Sequence, residues 1–208
     1  MTWEEIDRLI ALSKGDEPSP DLLARQINSN SNPAPYYMFI RRLAMEAEDP
    51  GVFLEIGSYY GCVAAHITSV GTNLLHLGID INPVPYSHPN SIMILGDSVD
   101  SDKSAPSTVD MVRRIAEKCG GIAHVFQDSS HHYLPSVREW ELYSPLVKPG
   151  GLWICDDITP AFRLPTEKKG MVEYFEDLPG EKRLFDDLHP GNAMGIIRMD
   201  TVNQKDRI

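Results

Sequence analysis

Short apolar runs and amphipathic stretches alternate along this chain, and each type of pattern predicts a different element. The apolar runs predict strands near 52–56, 74–80, 91–95, 122–127 and 152–155. The stretches with apolar residues at helical spacing predict helices near 61–70, 106–118, 133–146 and 167–177. Strands that alternate with helices indicate a mainly parallel sheet that is covered on both faces.

Two further strands are predicted towards the C-terminal end, at 182–185 and 194–199, with a turn at 190–192 (Pro-Gly-Asn) between them. A hairpin-like pair after a series of parallel strands indicates one antiparallel strand near an edge of the sheet. Another turn is predicted at 148–151 (Lys-Pro-Gly-Gly), before the fifth strand. We therefore expect a mainly parallel, seven-stranded α/β sheet with one antiparallel strand.

The first part of the chain does not share this alternating pattern. It predicts three helices, near 3–14, 19–27 and 36–48, which are separated by proline-containing polar segments. We expect residues 1–48 to form a helical lid or extension on a core that spans 49–208. A length of 208 residues suits a single domain with a sizeable core.

Charge limits the kind of partner that this chain can bind. Thirty acidic residues against 19 basic residues give a net charge of −11. Because affinity for nucleic acid depends on Lys and Arg side chains that neutralise phosphates, this balance argues against nucleic acid and against anionic membranes. The expected partner is a neutral or cationic small molecule. The N-terminal helices leave a homo-oligomer possible.

The sequence carries no export or membrane signal. Its first residues lack the basic and apolar regions of a signal peptide, and no apolar run approaches the roughly 20 residues of a membrane span. The three cysteines, Cys62, Cys119 and Cys155, are far apart and form neither a disulfide framework nor a zinc-binding pattern. We expect a cytoplasmic protein.

The first predicted strand ends in a glycine-containing turn that is typical of nucleotide-binding α/β proteins. Glu55 ends the apolar run, Gly57 and Ser58 follow, and Gly61 comes four positions after Gly57, just before a predicted helix. A dinucleotide fingerprint would place a glycine where Tyr59 stands, so that the backbone could approach a pyrophosphate. The turn therefore favours a nucleoside without a diphosphate, although a purely structural turn would show the same two glycines.

Acidic residues end the next two strands. Asp80 ends the second strand, 25 positions after Glu55, where a carboxylate can accept hydrogen bonds from a ribose diol. Asp97 and Ser98 follow the third strand and are placed to bind an adenine edge. The simpler alternative is that Asp80 caps a turn and Asp97 caps a helix. The functional interpretation rests on all three signals falling at successive strand ends.

Three further acids follow the fourth and fifth strands: Asp128 on one, Asp156 and Asp157 on the other. Neighbouring strands lie about 4.8 Å apart, so carboxylates at their ends can share one ion, and oxygen ligands suit Mg²⁺ rather than Zn²⁺. Adjacent strand residues point to opposite faces, so Asp156 and Asp157 can both bind only if the strand has ended. We expect Asp128 and Asp156 ahead of Asp157. The alternative is that Asp156 or Asp157 caps the next element.

A histidine lies close to Asp128 in the sequence. His131 follows Asp128 by three positions, and an imidazole can take a proton from a hydroxyl group at neutral pH. His132 is its direct rival, with a simple alternative as a surface residue, and we favour His131. Structural roles are expected for the isolated histidines, which are His66, His76, His88, His124 and His189.

With these residues placed, residues 52–158 resemble the class I S-adenosylmethionine-dependent methyltransferases, a Rossmann-like family. The chain looks most like the metal-dependent group that includes cephalosporin hydroxylase-like proteins and the rhamnosyl and macrolide-sugar O-methyltransferases. The matching segments are 54–57 with Gly61, 78–81 (Gly-Ile-Asp-Ile), 96–98 (Gly-Asp-Ser), 128–131 (Asp-Ser-Ser-His), Glu139, 142–147 (Leu-Tyr-Ser-Pro-Leu-Val), 149–151 and 156–157. The segment 128–131 joined to the Glu139 segment is the most specific of these.

The resemblance implies a role for each matching position. It implies Gly57, Ser58, Tyr59, Gly61, Asp80, Ile81, Asp97 and Ser98 around the cofactor, Asp128, Asp156 and Asp157 at Mg²⁺ or another divalent cation such as Mn²⁺, and His131 as general base. Many relatives have Glu where Asp156 stands. Residues 1–48 show no match of this kind, so the acceptor is the least defined part.

The resemblance implies a Mg²⁺-dependent O-methyltransferase that acts on a hydroxyl group of a small molecule such as a sugar or natural product. Two alternatives remain: a repurposed S-adenosylmethionine-binding protein without methyl transfer, and a nicotinamide-dependent oxidoreductase, against which Tyr59 counts. Several side chains could flank an acceptor or simply pack: Tyr36, Tyr37, Tyr86, His88, Phe162 and Arg163.

Overall fold

The computed structural model of the protein describes residues 1–28, 35–101, 106–161, 168–188 and 192–200. The candidate acceptor residues Phe162 and Arg163 and most of the predicted turn at 190–192 lie outside the described residues. Seven strands form one sheet, in the order β3-β2-β1-β4-β5-β7-β6. The strands are β1 (Gly51–Ile56), β2 (Leu74–Asp80), β3 (Ser91–Leu95), β4 (Ile122–Gln127), β5 (Val147–Ile158), β6 (Lys182–Phe185) and β7 (Ala193–Arg198).

The strand directions confirm the expected mixed sheet. Strands β1 to β5 run parallel to one another, and β7 is antiparallel to both β5 and β6. The single antiparallel strand lies one place in from the edge, because β7 inserts between β5 and β6. The chain therefore places the carboxyl ends of β1 to β5 along one edge of the sheet.

Seven α-helices lie among the described residues, with a short 3₁₀ turn at Ser144–Leu146. They are α1 (Trp3–Ser13), α2 (Pro20–Asn28), α3 (Pro35–Met45), α4 (Cys62–Thr68), α5 (Thr108–Lys118), α6 (Tyr133–Tyr143) and α7 (Met171–Asp177). Local caps define several ends: Thr2 and Glu5 form a capping box on α1, and the Ser107 hydroxyl accepts the Asp110 N–H at the start of α5. No helix in the described part of the chain combines the length and apolar character needed to cross a membrane.

Strand β5 differs from the sequence prediction. The predicted turn at 148–151 lies inside β5, which begins at Val147 rather than near Leu152. The pairing of β4 with β5 shifts register between Ile122 and His124 to accommodate the extra residues. A Cβ atom at Gly151 would lie 2.3 Å from the carbonyl oxygen of Ala123, so this part of the strand requires a glycine. The glycines were correctly located, but they form an irregularity within a strand rather than a turn.

The core has two parts, one on each face of the sheet. Alternation along β1 directs Val52, Leu54 and Ile56 to one face and Phe53 to the other. The first face is covered by α5, α6 and α7, and the second by α1, α3 and α4. Helices α1 and α3 therefore bury their apolar sides against the sheet. A further role of residues 1–48 as a lid over an acceptor stays a prediction.

Candidate active site

A cavity of about 660 Å³ lies at the carboxyl edge of the sheet. It lies where the strand order reverses, because β2 and β3 extend to one side of β1 while β4 and β5 extend to the other. Open α/β sheets bind ligands at such a switch point. Residues at the ends of β1, β2, β3 and β4 line the cavity, together with Pro135 and Glu139 from α6.

The glycine turn brings the ends of β1 and β4 into contact. Gly57 has φ +92°, and a Cβ atom there would lie 1.9 Å from the carbonyl oxygen of Asp128. Gly61 has φ +72°, and its Cβ would lie 2.6 Å from the Cβ of Tyr86. Both positions therefore require glycine, for close approach and for backbone conformation. Gly57 lines the cavity, whereas Gly61 lies behind it at the start of α4.

Asp80 caps the glycine turn and also faces the cavity. One carboxylate oxygen accepts the Tyr59 N–H at 2.8 Å, and the other accepts the Asn82 N–H at 2.8 Å. Tyr59 has φ +44°, which is uncommon for a residue other than glycine. A carboxylate has about four acceptor positions, so two backbone bonds leave capacity for a ligand diol. The capping and ligand-binding interpretations of Asp80 are thus compatible.

The loop after β3 is ordered in a similar way. Asp97 accepts the backbone N–H of Val99 at 3.0 Å and of Ser101 at 2.9 Å, and it also accepts the Ser101 hydroxyl. Asp97 therefore caps this loop rather than a helix, while it and Ser98 line the cavity. The Ser98 hydroxyl donates to Glu139 at 2.6 Å.

Besides Gly61, two other predicted cofactor residues, Glu55 and Ser58, do not line the cavity. Glu55 is buried, and its carboxylate contacts Nε2 of His76 at 2.9 Å, while Nδ1 of His76 contacts the Ser91 hydroxyl at 3.0 Å. These contacts join β1, β2 and β3 within the sheet, below its carboxyl edge. Ser58 is also buried, and its Oγ has no hydrogen-bond partner among the described residues. The remaining predicted cofactor residues, Gly57, Tyr59, Asp80, Ile81, Asp97 and Ser98, line the cavity.

Asp128 and His131 line the cavity after β4, and they form a cluster with Asp157. One ligand atom from each lies within 4.8 Å of the other two. Nε2 of His131 lies 3.0 Å from Oδ1 of Asp128, and Nδ1 lies 3.7 Å from Oδ2 of Asp157. Both His131 (φ +53°) and Asp157 (φ +55°) have left-handed backbone conformations. Side chains that converge in this way form a candidate divalent-cation site.

Of the two acids on β5, Asp157 joins this cluster, and buried Asp156 lies outside the group. A register shift in the β5–β7 pairing between Cys155 and Ile158 accompanies the left-handed backbone conformation at Asp157. Asp156 remains close enough for its charge to raise the pKa of His131. Its role as a ligand stays a prediction.

Burial and charge oppose each other in this cluster. Burial raises the pKa of Asp128, while the hydrogen bond and positive charge of His131 act in the opposite direction. Burial alone would lower the pKa of His131, but the hydrogen bond to Asp128 and the charges of Asp128, Asp157 and Asp156 outweigh it and raise the pKa. The cluster therefore attracts positive charge, whether a proton or a metal ion.

Geometry also separates the two neighbouring histidines. His131 contacts both acids, whereas His132 occupies the position that precedes the first residue of α6. Among the other histidines, His66, His76 and His124 are buried. His131 is thus the histidine placed to exchange a proton at the cavity.

The candidate acceptor residues divide into two groups. Tyr36 and Tyr37 on α3 are buried, and burial raises the pKa of Tyr36, with further increases from Tyr37 and from the charges of Asp128 and Asp156. Tyr36 therefore lies near the acids. Tyr86 instead packs against Gly61 and beneath the Arg25 guanidinium, away from the cluster.

The residue that sequence reasoning missed is Glu139. It was noted only as part of a matching segment, yet it is buried, lines the cavity and accepts three hydrogen bonds, from Ser98, Ser129 and Gln127. The one available signal is its spacing, because Glu139 falls at helical intervals from Ser136 and Tyr143 on the side of α6 that is buried.

The sheet order with an antiparallel β7 defines the class I methyltransferase fold. Neither a protein-family profile nor a curated protein sequence matches the chain. Solved structures do match in fold. The MycE methyltransferase of the mycinamycin biosynthetic pathway, in complex with Mg and SAH, aligns with a TM-score of 0.59 and 18% identity over 87% of this chain and 55% of MycE. The chain thus spans about half the length of MycE.

Two other structures match over nearly their full length. A candidate caffeoyl-CoA O-methyltransferase from Staphylococcus aureus aligns with a TM-score of 0.65 and 17% identity, over 93% of this chain and 99% of that protein. CalS11, a TDP-rhamnose 3′-O-methyltransferase of calicheamicin biosynthesis, aligns with a TM-score of 0.52 and 16% identity, over 94% and 93%. At these identities the likeness establishes the fold, and the reaction must be argued from the site.

Proposed function

We propose that this protein is an S-adenosylmethionine-dependent, divalent-cation-dependent O-methyltransferase that acts on a hydroxyl group of a small molecule. One observation carries the proposal: a single cavity is lined by a backbone-held carboxylate, Asp80, and by Asp128 and His131, which form a cluster with Asp157. The first suits a nucleoside, and the second suits a cation and a proton acceptor.

The cofactor end fits an adenosine moiety. Asp80 would accept hydrogen bonds from the ribose diol, and Ile81, which is largely exposed beside it, would pack against the nucleoside. Gly57 would allow the methionine part to pass close to the backbone. Tyr59 occupies the place of the glycine that a pyrophosphate requires, so the same turn disfavours a nicotinamide dinucleotide.

The cluster residues fit a divalent cation, because two carboxylates and an imidazole converge and together attract positive charge. Asp128 and Asp157 would hold the ion, with Asp156 as a further candidate. A bound divalent cation supplies Lewis acidity that lowers the pKa of an acceptor hydroxyl. With negative charge so concentrated, Mg²⁺ and Mn²⁺ are suitable occupants.

His131 would act as the general base. It would take the proton from the acceptor hydroxyl while an oxygen lone pair forms the new bond to the methyl carbon. S-adenosylmethionine would supply the methyl group, and the electron pair of the broken sulfur–methyl bond would stay on sulfur as the thioether of S-adenosylhomocysteine. His131 would then pass the proton to solvent. Alignment of the acceptor oxygen with the methyl group within one cavity would supply most of the rate gain.

Cavity charge favours a neutral or cationic acceptor. The described lining includes the acids Asp80, Asp97, Asp128 and Glu139 but no Lys or Arg. A phosphate group in the acceptor would therefore meet no counter-charge from these residues. The names of two structural neighbours include a CoA thioester and a TDP-sugar. We expect this chain to favour an acceptor without a phosphate, such as a free sugar or a hydroxylated natural product.

Calorimetry and a methyl-transfer assay test the proposal together. S-adenosylhomocysteine should bind, NAD should not, and S-adenosylmethionine with a panel of hydroxylated acceptors should give a methylated product that excess EDTA abolishes. Full activity in EDTA would remove the cation from the mechanism. Binding of S-adenosylhomocysteine without transfer to any acceptor would favour the repurposed binding protein, and absence of binding would overturn both.

A further inference from the structure

Glu139 connects the two ends of the cavity. Its side chain is 1% exposed, and its two oxygens face different loops. Oε1 accepts the Ser98 hydroxyl at 2.6 Å, on the loop after β3. Oε2 accepts the Ser129 hydroxyl at 2.8 Å, beside Asp128 on the loop after β4. One carboxylate thus holds a residue from the nucleoside end and a residue next to the cation cluster.

The rest of this network fixes the carboxylate in place. Gln127 donates from Nε2 to Oε2 of Glu139 at 2.7 Å, while its Oε1 accepts Trp153 Nε1 at 3.1 Å and the Tyr174 hydroxyl at 2.7 Å. Because these donors fix the orientation of the Gln127 amide, its Nε2 must donate to Glu139. Oε2 of Glu139 must therefore act as an acceptor towards Gln127, and the two serine hydroxyls complete the contacts of the carboxylate.

The same helix face holds the β3 loop at a second point. Tyr143 lies one turn after Glu139 on α6, and its hydroxyl donates to the carbonyl oxygen of Ser98 at 2.7 Å. Helix α6 therefore fixes both the side chain and the backbone of Ser98. Any shift of α6 at Glu139 would move the Ser98 and Ser129 loops together.

We propose that Glu139 is a positioning residue that couples the nucleoside end of the cavity to its cation end. Through Ser98 it orients the β3 loop, and through Ser129 it orients the segment that carries Asp128 and His131. This inference rests on the proposed function. A buried glutamate with only a structural role would contribute to stability and leave ligand affinities unchanged in the folded protein.

Binding measurements on three variants, followed by two controls, test this role. The ligands are S-adenosylhomocysteine, followed by calorimetry, and Mn²⁺ alone, followed by electron paramagnetic resonance. Ser98→Ala should raise the Kd of S-adenosylhomocysteine about fivefold and leave the Kd of Mn²⁺ unchanged, because one hydrogen bond to a charged group is lost at one end. Ser129→Ala should show the reverse pattern. Glu139→Leu should raise both Kd values about tenfold or more.

Conservative replacement and a core control complete the experiment. Glu139→Gln should recover most of both affinities, because its Oε can accept from Ser129 and Gln127 while its amide donates to the Ser98 hydroxyl. Val125→Ala, a change at a buried β4 residue that belongs to neither loop, should lower stability without changing either Kd. If Glu139→Leu is poorly folded, Glu139→Asp takes its place, because the shorter side chain keeps the charge but withdraws the carboxylate from both serines, and it should also raise both Kd values.

Two results would overturn the inference. The first is folded Glu139→Leu with both Kd values close to those of the wild type. The second is loss of only one affinity, equal to that of the matching serine variant. If the wild-type protein fails to bind S-adenosylhomocysteine, the proposed function is wrong. If the wild type binds it but Glu139→Leu gives either of the two results above, only the inference about Glu139 is wrong.

Discussion

The two ends of the cavity hold their acidic side chains in different ways. At the nucleoside end, Asp80 accepts the backbone N–H groups of Tyr59 and Asn82, and Asp97 accepts those of Val99 and Ser101. At the cation end, Asp128 and Asp157 both contact the side chain of His131. Backbone donors thus orient the acids at one end, and a histidine side chain contacts both acids at the other.

This difference predicts how each end responds to change. Backbone-held carboxylates are already oriented before a ligand arrives, so they suit binding. The net charge of the Asp128/His131/Asp157 cluster changes when a proton or a cation binds, so this end of the cavity suits proton transfer. Variants at the two ends should therefore separate cofactor affinity from turnover.

The largest effect is expected from the cation end. Asp128→Asn and His131→Ala should each lower kcat roughly 1,000-fold, because they remove a cation ligand and the general base. Calorimetry should show S-adenosylhomocysteine affinity close to that of wild type. His132→Ala is the matched control and should keep most activity. Strong loss in His132→Ala with normal activity in His131→Ala would reverse the assignment of the base.

Gly57→Ala should be the most damaging change to stability, because Gly57 lies where the ends of β1 and β4 are in contact. The added Cβ would collide with the Asp128 carbonyl oxygen at 1.9 Å and would face an unfavourable positive φ. We expect a loss of about 3 kcal/mol or more in the free energy of unfolding, measured with urea. Gly71→Ala, where no atom lies within 4 Å of the added Cβ, should be nearly neutral. Equal stability of the two variants would contradict this packing.

Titration should distinguish the structural histidines from His131. Burial lowers the pKa of His124 from 6.5 to about 4, and its Nδ1 accepts the Leu152 N–H at 3.3 Å. The unfolded state therefore binds more protons across that window, so stability falls as pH drops through it. Between pH 7 and pH 5 this residue should account for about 2 kcal/mol of lost stability.

His124→Asn tests that contribution. Its unfolding free energy should depend less on pH than that of wild type, by roughly the amount expected for His124. Urea unfolding at several pH values makes the comparison. Parallel pH curves for the two proteins would show that His124 is not held neutral by burial.

The smallest expected effect is Asp80→Asn at the nucleoside end. The amide can still accept from one backbone N–H, but it loses the charge and one acceptor position for the ribose diol. We expect the Kd of S-adenosylhomocysteine to rise about tenfold while Mn²⁺ affinity stays unchanged. A change in Mn²⁺ affinity with unchanged nucleoside affinity would show that the two ends have been assigned the wrong way round.

The parts of the site that follow from strand ends were predictable. The pattern of apolar runs located all seven strands, and parallel strand ends placed Asp80, Asp97 and Asp128 on one edge. The choice between Asp156 and Asp157 was not predictable, because it depends on a register shift and a left-handed backbone conformation. Glu55 followed the same rule as its neighbours, but its side chain pairs with His76, a residue 21 positions away.

Long-range side-chain networks account for what the sequence missed. Glu139 meets Ser98 across 41 positions and Ser129 across 10, and no local pattern encodes these contacts. Strand β5 shows the same limit, since Gly150 and Gly151 indicate a turn locally while pairing with β4 keeps them in the strand. Local propensity indicates which elements form, and tertiary packing decides where β5 begins and which side chains meet.

A crystal structure with S-adenosylhomocysteine and Mn²⁺ bound would show whether one cavity holds both the nucleoside and the cation, because Mn²⁺ has an anomalous signal. We expect one anomalous peak coordinated by Asp128 and Asp157, with the ribose diol on Asp80 and the thioether sulfur facing His131 in the same cavity. An ion bound elsewhere, or a nucleoside outside this cavity, would contradict this expectation.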